Sequence, residues 1–299
     1  MNLLGNYNEI RVGYAKEDNI RLLGASGGVV TSILVNALNK KLIDEAIVIG
    51  MDEKEPWKPA VKIAKSKEGI LAASGSKYVF ISVKEILDKI KEAKGGIAVV
   101  GLPCHVKVIR NLQKMGKISN VKYVIGLLCG YNMAYNGTEY ALKKLKINKE
   151  DIKELRYRGG KYPGGFYVSL KNGEIIKRPR YYYDFLNLMF VPKGCLNCKD
   201  YANEYADISV GDAWGYNNSS LIFIRTKKGK ELLEIGNIKS ERIPEKQVLK
   251  MHWHNIKHKK MEDGYFIKCS SWSLRRFKSI LPFELLGFIA KLRRSMIKK

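Results

Sequence analysis

The residues with the clearest chemical potential are cysteines. Cys195 and Cys198 stand in Gly194-Cys195-Leu196-Asn197-Cys198-Lys199-Asp200, a C-x2-C whose short loop lets two thiolates meet one metal. Such a pair needs two more ligands. Cys104 follows the turn Gly101-Leu102-Pro103, and Cys129 follows an apolar stretch over 123–128, so both sit where strands end and functional loops begin. Four thiols can therefore converge. Zinc accepts four thiolates as readily as iron does, and buried cysteines are often only small hydrophobes. Spacing alone leaves zinc and iron-sulfur open, with inert burial the alternative for Cys104 and Cys129. Cys269, alone between Lys268 and Ser270, is left out of the site.

Three further segments could serve a cofactor. Ala25-Ser26-Gly27-Gly28-Val29-Val30-Thr31 reads as a strand-to-helix turn with Ser26 as the N-cap, where free amides and the helix dipole favour a phosphate. It is neither G-x-G-x-x-G nor a Walker sequence, and by itself fits a plain helix start. Gly75-Ser76-Lys77-Tyr78 presents a hydroxyl, an ammonium and an aromatic face from one turn, which suits a flavin or an anion. A turn with a surface lysine is the plainer reading of it. The ribbon from Ala206 to Gly215 carries Asp207, Asp212 and Trp214 and can form a cofactor wall. Its two carboxylates have no nearby histidine or metal motif, which argues against hydrolysis. His252, His254 and His258 lie among lysines and are expected at the surface.

These residues need a scaffold, and the periodicities supply one. Strand patterns at 9–15, 45–50, 96–101 and 121–128 alternate with helical patterns at 29–39, 83–93 and 105–114. That alternation predicts an open α/β sheet. After about Asn148 short strands at 154–158, 166–170 and 174–177 predict an α+β half, with further strands at 207–210 and 221–225. Helices are expected at 228–236 and, basic and amphipathic, at 282–299. The expected organisation is an α/β flavin-binding region (1–147), an iron-sulfur, strand-rich region (148–225) and a helical basic region (226–299), with cofactors between the halves.

Composition narrows the class. The chain has 299 residues, 45% hydrophobic and 28% charged, enough for a sizeable core and unlike a disordered protein. Its net charge of +25 favours anionic partners, but the excess is mostly dispersed lysine with no nucleic-acid module, so a nucleic-acid groove is disfavoured. The lysine and isoleucine richness is of the heat-adapted kind. Residues 22–39 are uncharged yet hold serine, threonine, asparagine and three glycines, which speaks against a membrane span. The N-terminal stretch lacks a secretory pattern, and the protein is expected in the cytoplasm. Five cysteines, an odd number, point to metal or redox chemistry over a disulfide framework.

Taken in order, ASGGVVTSIL, GSKYV, GLPCHVKVIRNL, LLCG, YRGGKYPGGF and GCLNCKDYANEYADISVGDAWG resemble the coenzyme F420 hydrogenase/dehydrogenase beta-subunit family over roughly residues 8–225. The resemblance implies an oxidoreductase with FAD, one 4Fe-4S cluster and hydride exchange with a deazaflavin, coenzyme F420. Carried over, Cys104, Cys129, Cys195 and Cys198 become cluster ligands. Ser26, Gly27, Gly28, Val29 and Thr31, with Gly75, Ser76, Lys77, Tyr78 and Pro103, become flavin contacts. A flavin with one cluster leaves no second site in the sequence for a primary electron donor, so an iron-sulfur or ferredoxin-like partner subunit is expected. The ferredoxin module with C-x2-C-x2-C-x3-C-P runs that many relatives carry does not occur in this sequence. Some relatives do not use the deazaflavin, so another acceptor is an alternative. So is a basic adaptor held together by zinc. Membrane contact through residues 285–298 is a third, less favoured reading.

Overall fold

The computed structural model describes residues 2–261 and 282–297; Cys269 lies outside them. In chain order the first part runs β1 (Glu9–Ala15), α1 (Asp18–Leu23), α2 (Val29–Asn39), β2 (Glu45–Met51), β3 (Pro59–Ala64), α3 (Lys67–Ala72), α4 (Val83–Glu92), β4 (Ile97–Gly101), α5 (Pro103–Lys114), β5 (Val121–Leu127) and α6 (Asn136–Lys144). It continues with β6 (Ile152–Gly159), β7 (Gly165–Leu170), β8 (Ile175–Pro179), α7 (Tyr182–Met189), β9 (Ile208–Asp212), β10 (Ser220–Ile224), α8 (Lys227–Ile235), β11 (Ile238–Arg242), α9 (Glu245–Lys260) and α10 (Phe283–Ile297).

Eight strands form one mixed sheet in the order β11-β1-β10-β9-β5-β4-β2-β3. Its middle is parallel, β2 to β4 to β5 to β9, and both flanks are antiparallel. The reason lies in the residues. β4, Ile-Ala-Val-Val-Gly, is buried at every position, as a strand covered on both faces must be. Alternate side chains feed two cores: Ala98 and Val100 join Val29, Ile33 and Leu232 under α2 and α8, while Ile97 and Val99 join Ile86, Ile90, Val106 and Ile109 under α4 and α5. On that second face Ile10, Val12, Leu221 and Phe223 pack against Val248 and Ile256 of α9.

A three-stranded antiparallel sheet, β6-β7-β8, forms a second layer. Leu155, Tyr157, Phe166 and Val168 pack with Leu186 of α7 and with Phe283 and Leu286 of α10. The C-terminal helix thus covers its own domain.

The architecture is the expected α/β-to-α+β combination, and two features bear on how the expected regions divide. β9 and β10, from the stretch assigned to the iron-sulfur region, lie inside the large sheet, because the burial of Ile208, Val210 and Leu221 is complete only there. Residues 226–299 are not simply helical. β11 is an edge strand whose lysine, glutamate and arginine face outward, so no apolar alternation announces it. Among the described residues no helix is long and apolar enough to cross a membrane, and 22–39 is split between α1, a glycine turn and α2.

Candidate functional site

Two parallel strands end side by side. Beyond Gly101, the last residue of β4, Cys104 is the second residue of α5; beyond Leu127, the last of β5, comes Cys129. Asn203 ties these ends together: its Nδ2 donates to the Gly101 carbonyl at 2.8 Å and to the Leu127 carbonyl at 3.2 Å. It holds a left-handed backbone, φ 58°, which asparagine tolerates. The Asp200 carboxylate fixes the turn by accepting from the Asn203 amide at 2.7 Å. On the same segment the Cys129 amide donates to the Tyr201 carbonyl at 3.0 Å. Cys195 and Cys198 lie at a single 3-10 turn, residues 193–197, with the Cys198 amide donating to the Cys195 carbonyl.

The four free thiols act on one another electrostatically. Cys104 is exposed at the surface, yet the protein packed around its sulfur, together with the Cys195 and Cys198 thiols, pushes it up to about 11. Burial pushes Cys129 up to about 12, and burial also raises Cys195. Lys259 of α9, only 2% exposed, places its ammonium 4.9 Å from the Tyr131 ring centre. Burial opposes its charge, but Cys129 and Cys198 outweigh that and hold the ammonium protonated. Four soft donors beside a buried cation suit a thiolate-bound iron-sulfur cluster, whose charge the lysine would offset. Among the described residues no three side chains already stand in a metal-holding array.

The glycine turn differs from expectation. Ser26 is not the N-cap of α2. That role falls to Gly28, at φ 70°, while Ser26 Oγ meets Ser220 Oγ at 2.8 Å and the Gly27 amide donates to Ser220 Oγ at 2.9 Å. A Cβ on Gly28 would lie 2.5 Å from the Ile20 carbonyl oxygen and one on Gly27 would lie 2.6 Å from that of Gly13. The chain's own backbone, not only a ligand, therefore demands the glycines. Val29 is buried in the core and Thr31 nearly so, leaving the first-turn amides of α2 as the donors available there.

The second block approaches the end of α1, where the Leu23 carbonyl would be 3.9 Å from a Cβ on Gly75. Ser76 and Lys77 continue the turn. Lys77 Nζ donates to the carbonyls of Ala73, Ser74 and Gly75 at 2.5, 2.8 and 3.2 Å, so the ammonium closes its own loop. Burial lowers it to about 7. Tyr78 packs its ring 4.9 Å from that of Tyr183. Pro103 is the buried first residue of α5, a helix-start role. Beside it His105 accepts from the Leu102 amide at Nδ1 and donates from Nε2 to the Ile81 carbonyl, which fixes the helix that carries Cys104.

The segment after Gly75-Ser76-Lys77-Tyr78 and the loop after Cys129 are physically joined. The Phe80 amide donates to the Met133 carbonyl at 2.7 Å, the Met133 amide to the Tyr78 carbonyl at 3.3 Å, and Asn132 Nδ2 to the Val79 carbonyl at 2.8 Å. The backbone N–H of Asn132 points to the Cys195 sulfur. Asn203, His105, Asn132 and Lys259 escaped sequence reasoning because single polar residues carry no spacing signal.

Other expectations change. Asp207 is structural: its carboxylate takes the Val124 amide, Thr226 Oγ1 and Arg110 Nη2 at 2.8–2.9 Å. Asp212 pairs with Arg158 at 2.6 Å. His252 and His258 are 2% and 6% exposed, not surface residues, because α9 turns them under itself onto the sheet. His252 Nε2 donates to the Asp212 carbonyl at 3.0 Å.

The mixed α/β sheet carries Cys104 and Cys129 just beyond two adjacent parallel strands and a glycine turn before α2, and the sequence that builds it matches an oxidoreductase family. Residues 10–88 match the family model for the N-terminal part of the coenzyme F420 hydrogenase/dehydrogenase beta subunit, and residues 95–248 that for its C-terminal part. The chain belongs to this family and is an oxidoreductase of its beta-subunit type. The coenzyme F420 hydrogenase subunit beta of Methanococcus voltae is 31% identical over 251 residues, 80% of this chain and 86% of that protein. The coenzyme F420-dependent sulfite reductase of Methanocaldococcus jannaschii is 33% identical over 266 residues, 83% of this chain but 40% of that longer protein. A chain of the F420-reducing nickel-iron hydrogenase complex from Methanosarcina barkeri superimposes with a TM-score of 0.70 at 25% identity, covering 88% of this chain and 92% of its own.

Proposed function

We propose that the chain binds FAD and one 4Fe-4S cluster and moves electrons between coenzyme F420 and an iron-sulfur partner subunit. The observation that supports this reading is that Cys129, Cys195 and Cys198 all act on the buried ammonium of Lys259, with Cys104 on the neighbouring strand end coupled to the same thiols. When bound, the flavin supplies exchange between two-electron and one-electron transfer, and the cluster takes electrons singly.

The remaining work belongs to the protein. Cys104 and Cys129 come from rigid strand ends held by Asn203, and Cys195 and Cys198 from one turn, so two ligand pairs approach from different elements. Binding iron must displace protons from the thiols of Cys104 and Cys129, which burial has made weak acids, so loading is favoured as pH rises. The first-turn amides of α2, with Ser26 beside them, offer a pyrophosphate seat; Gly75 to Tyr78 offers a turn and an aromatic ring close by. The net charge of +25 favours the phosphodiester and glutamate tail of coenzyme F420 and an acidic protein partner.

The test is an absorption spectrum of anaerobically purified protein with iron, sulfide, flavin and zinc quantified, followed by addition of reduced coenzyme F420. Bleaching of a bound flavin and about four irons per chain are expected. A colourless protein with stoichiometric zinc would establish the adaptor instead. In a Cys195→Ser/Cys198→Ser double variant iron should be lost.

A further inference from the structure

Two buried guanidinium groups share a single carboxylate where the two sheets meet. Arg158, on β6, places Nη1 2.6 Å from Asp212 Oδ1, and its side chain is 2% exposed. Arg180, just past β8, places Nη2 4.0 Å from Asp212 Oδ2. Arg158 and Arg180 both bear on Asp212, and Asp184 acts on Arg180 from farther off. Among the described residues, Arg158 Nη2 and Arg180 Nε have no hydrogen-bond partner. Neither group is free to turn away: Arg158 Nε is held by the Pro163 carbonyl at 2.8 Å, and Arg180 lies 4.3 Å from the centre of the Trp214 ring.

An unpaired charged donor inside a protein is destabilising unless something fills its place. What fills this one must bring acceptor oxygens to the open donors, either anionic or those of a strongly polarised carbonyl. It must also be flat and apolar enough for its walls, since Trp214 and Tyr162 lie beside the guanidiniums and Tyr78 hydrogen-bonds Arg180. A phosphate answers the charge but gains nothing from indole and phenol faces. A fused heteroaromatic ring with a carbonyl-bearing edge answers both, because guanidinium forks match planar acceptors and aromatic walls stack on planar rings.

We infer that Arg158 and Arg180 receive the pyrimidinedione edge of a tricyclic ring, the edge that flavin and deazaflavin have in common. The inference rests on the function proposed above. It gives the YRGGKYPGGF segment a task that sequence reading left open and makes the cofactor wall expected of VGDAWG specific: with Arg180 they supply the ring clamp, separate from the phosphate turn near Ser26.

The experiment uses the full chain with Arg158→Met, Arg180→Met, Arg180→Lys and Asp212→Asn. Apoprotein is titrated with FAD and with riboflavin, which carries the ring but no phosphate; FAD-loaded protein is then titrated with coenzyme F420. Removing either guanidinium should weaken ring binding about ten- to hundred-fold. Equal loss for FAD and riboflavin places the flavin ring at the clamp, and loss for coenzyme F420 alone places the deazaflavin there; both support the inference. Asp212→Asn, which removes the competing carboxylate and keeps its shape, should tighten ring binding. A merely structural ion pair would instead give a less stable, weaker-binding variant. If the Met variants do not fold, the Arg180→Lys and Asp212→Asn titrations decide by the same signs. Loss for FAD with riboflavin unaffected would mean a phosphate contact and overturn the clamp, as would variants that bind every probe like wild type. Wild-type protein that binds neither ring would end the functional reading itself.

Discussion

The hydroxyl of Tyr201 donates to Nδ1 of His252 at 2.7 Å, so the imidazole is held neutral with its one hydrogen on Nε2. Burial lowers this histidine from 6.5 to about 4, against the nearby Asp212 charge. The unfolded chain therefore binds a proton that the folded one refuses between these values. Stability should be full above pH 6.5 and fall as pH drops toward 4, by on the order of 3 kcal/mol from this site. Urea unfolding of wild type and His252→Leu across pH 4.5–7 checks it, and equal pH slopes in the two proteins would reject the assignment.

Asn203→Ala should destabilise the protein by about 1–3 kcal/mol, because the carbonyls of Gly101 and Leu127 lose their shared donor. Iron content should fall with it, since those carbonyls belong to the strand ends that carry Cys104 and Cys129. Thermal unfolding and iron per chain report the two effects separately. Full iron retention would show that the thiols do not depend on this brace.

At the glycine turn Gly28→Val is a poor probe: with φ 70° and the Ile20 carbonyl 2.5 Å from the added Cβ, the variant would be strained with or without a cofactor. Ser26→Asp is the better choice. A carboxylate beside the first-turn amides should repel a pyrophosphate and weaken FAD by roughly ten-fold, while riboflavin binding stays unchanged. FAD binding equal to wild type would move the phosphate seat elsewhere.

Lys259→Met removes the one buried ammonium described beside Cys129, Cys195 and Cys198. The cluster should become harder to reduce, its midpoint potential shifting negative in a titration followed by electron paramagnetic resonance. A potential that holds still or rises would deny Lys259 this electrostatic part.

Much of this organisation was legible beforehand where burial is repetitive. The apolar runs of β1, β2, β4 and β5 and the 3.6-residue spacing of α2 and α4 are set by both-face and one-face burial, and these elements fall where the patterns put them. β3 and α9 were not foreseen. Pro59 heads a strand with only one partner, and α9 buries Lys259 and two histidines alongside Val248 and Ile256, so neither shows the expected apolar periodicity. The cysteines were singled out by type. The residues that aim them, Asn203, His105 and Asn132, act by one hydrogen bond or two each, and only three-dimensional adjacency reveals such roles.

The sheet order also governs assembly in time. β1 is made first, yet both its partners, β10 and β11, come from the far end of the family core: Glu9 pairs with Ile224 and Arg11 with Arg242. During synthesis β1 therefore waits with both edges bare until most of the chain has left the ribosome. The parallel block of β2, β4 and β5 can form from nearer neighbours. An orphan strand of this kind invites mispairing with other chains. Arg11 within β1 and the glutamate, lysine and arginine of β11 place charges along that late-closing edge, where they discourage premature partners.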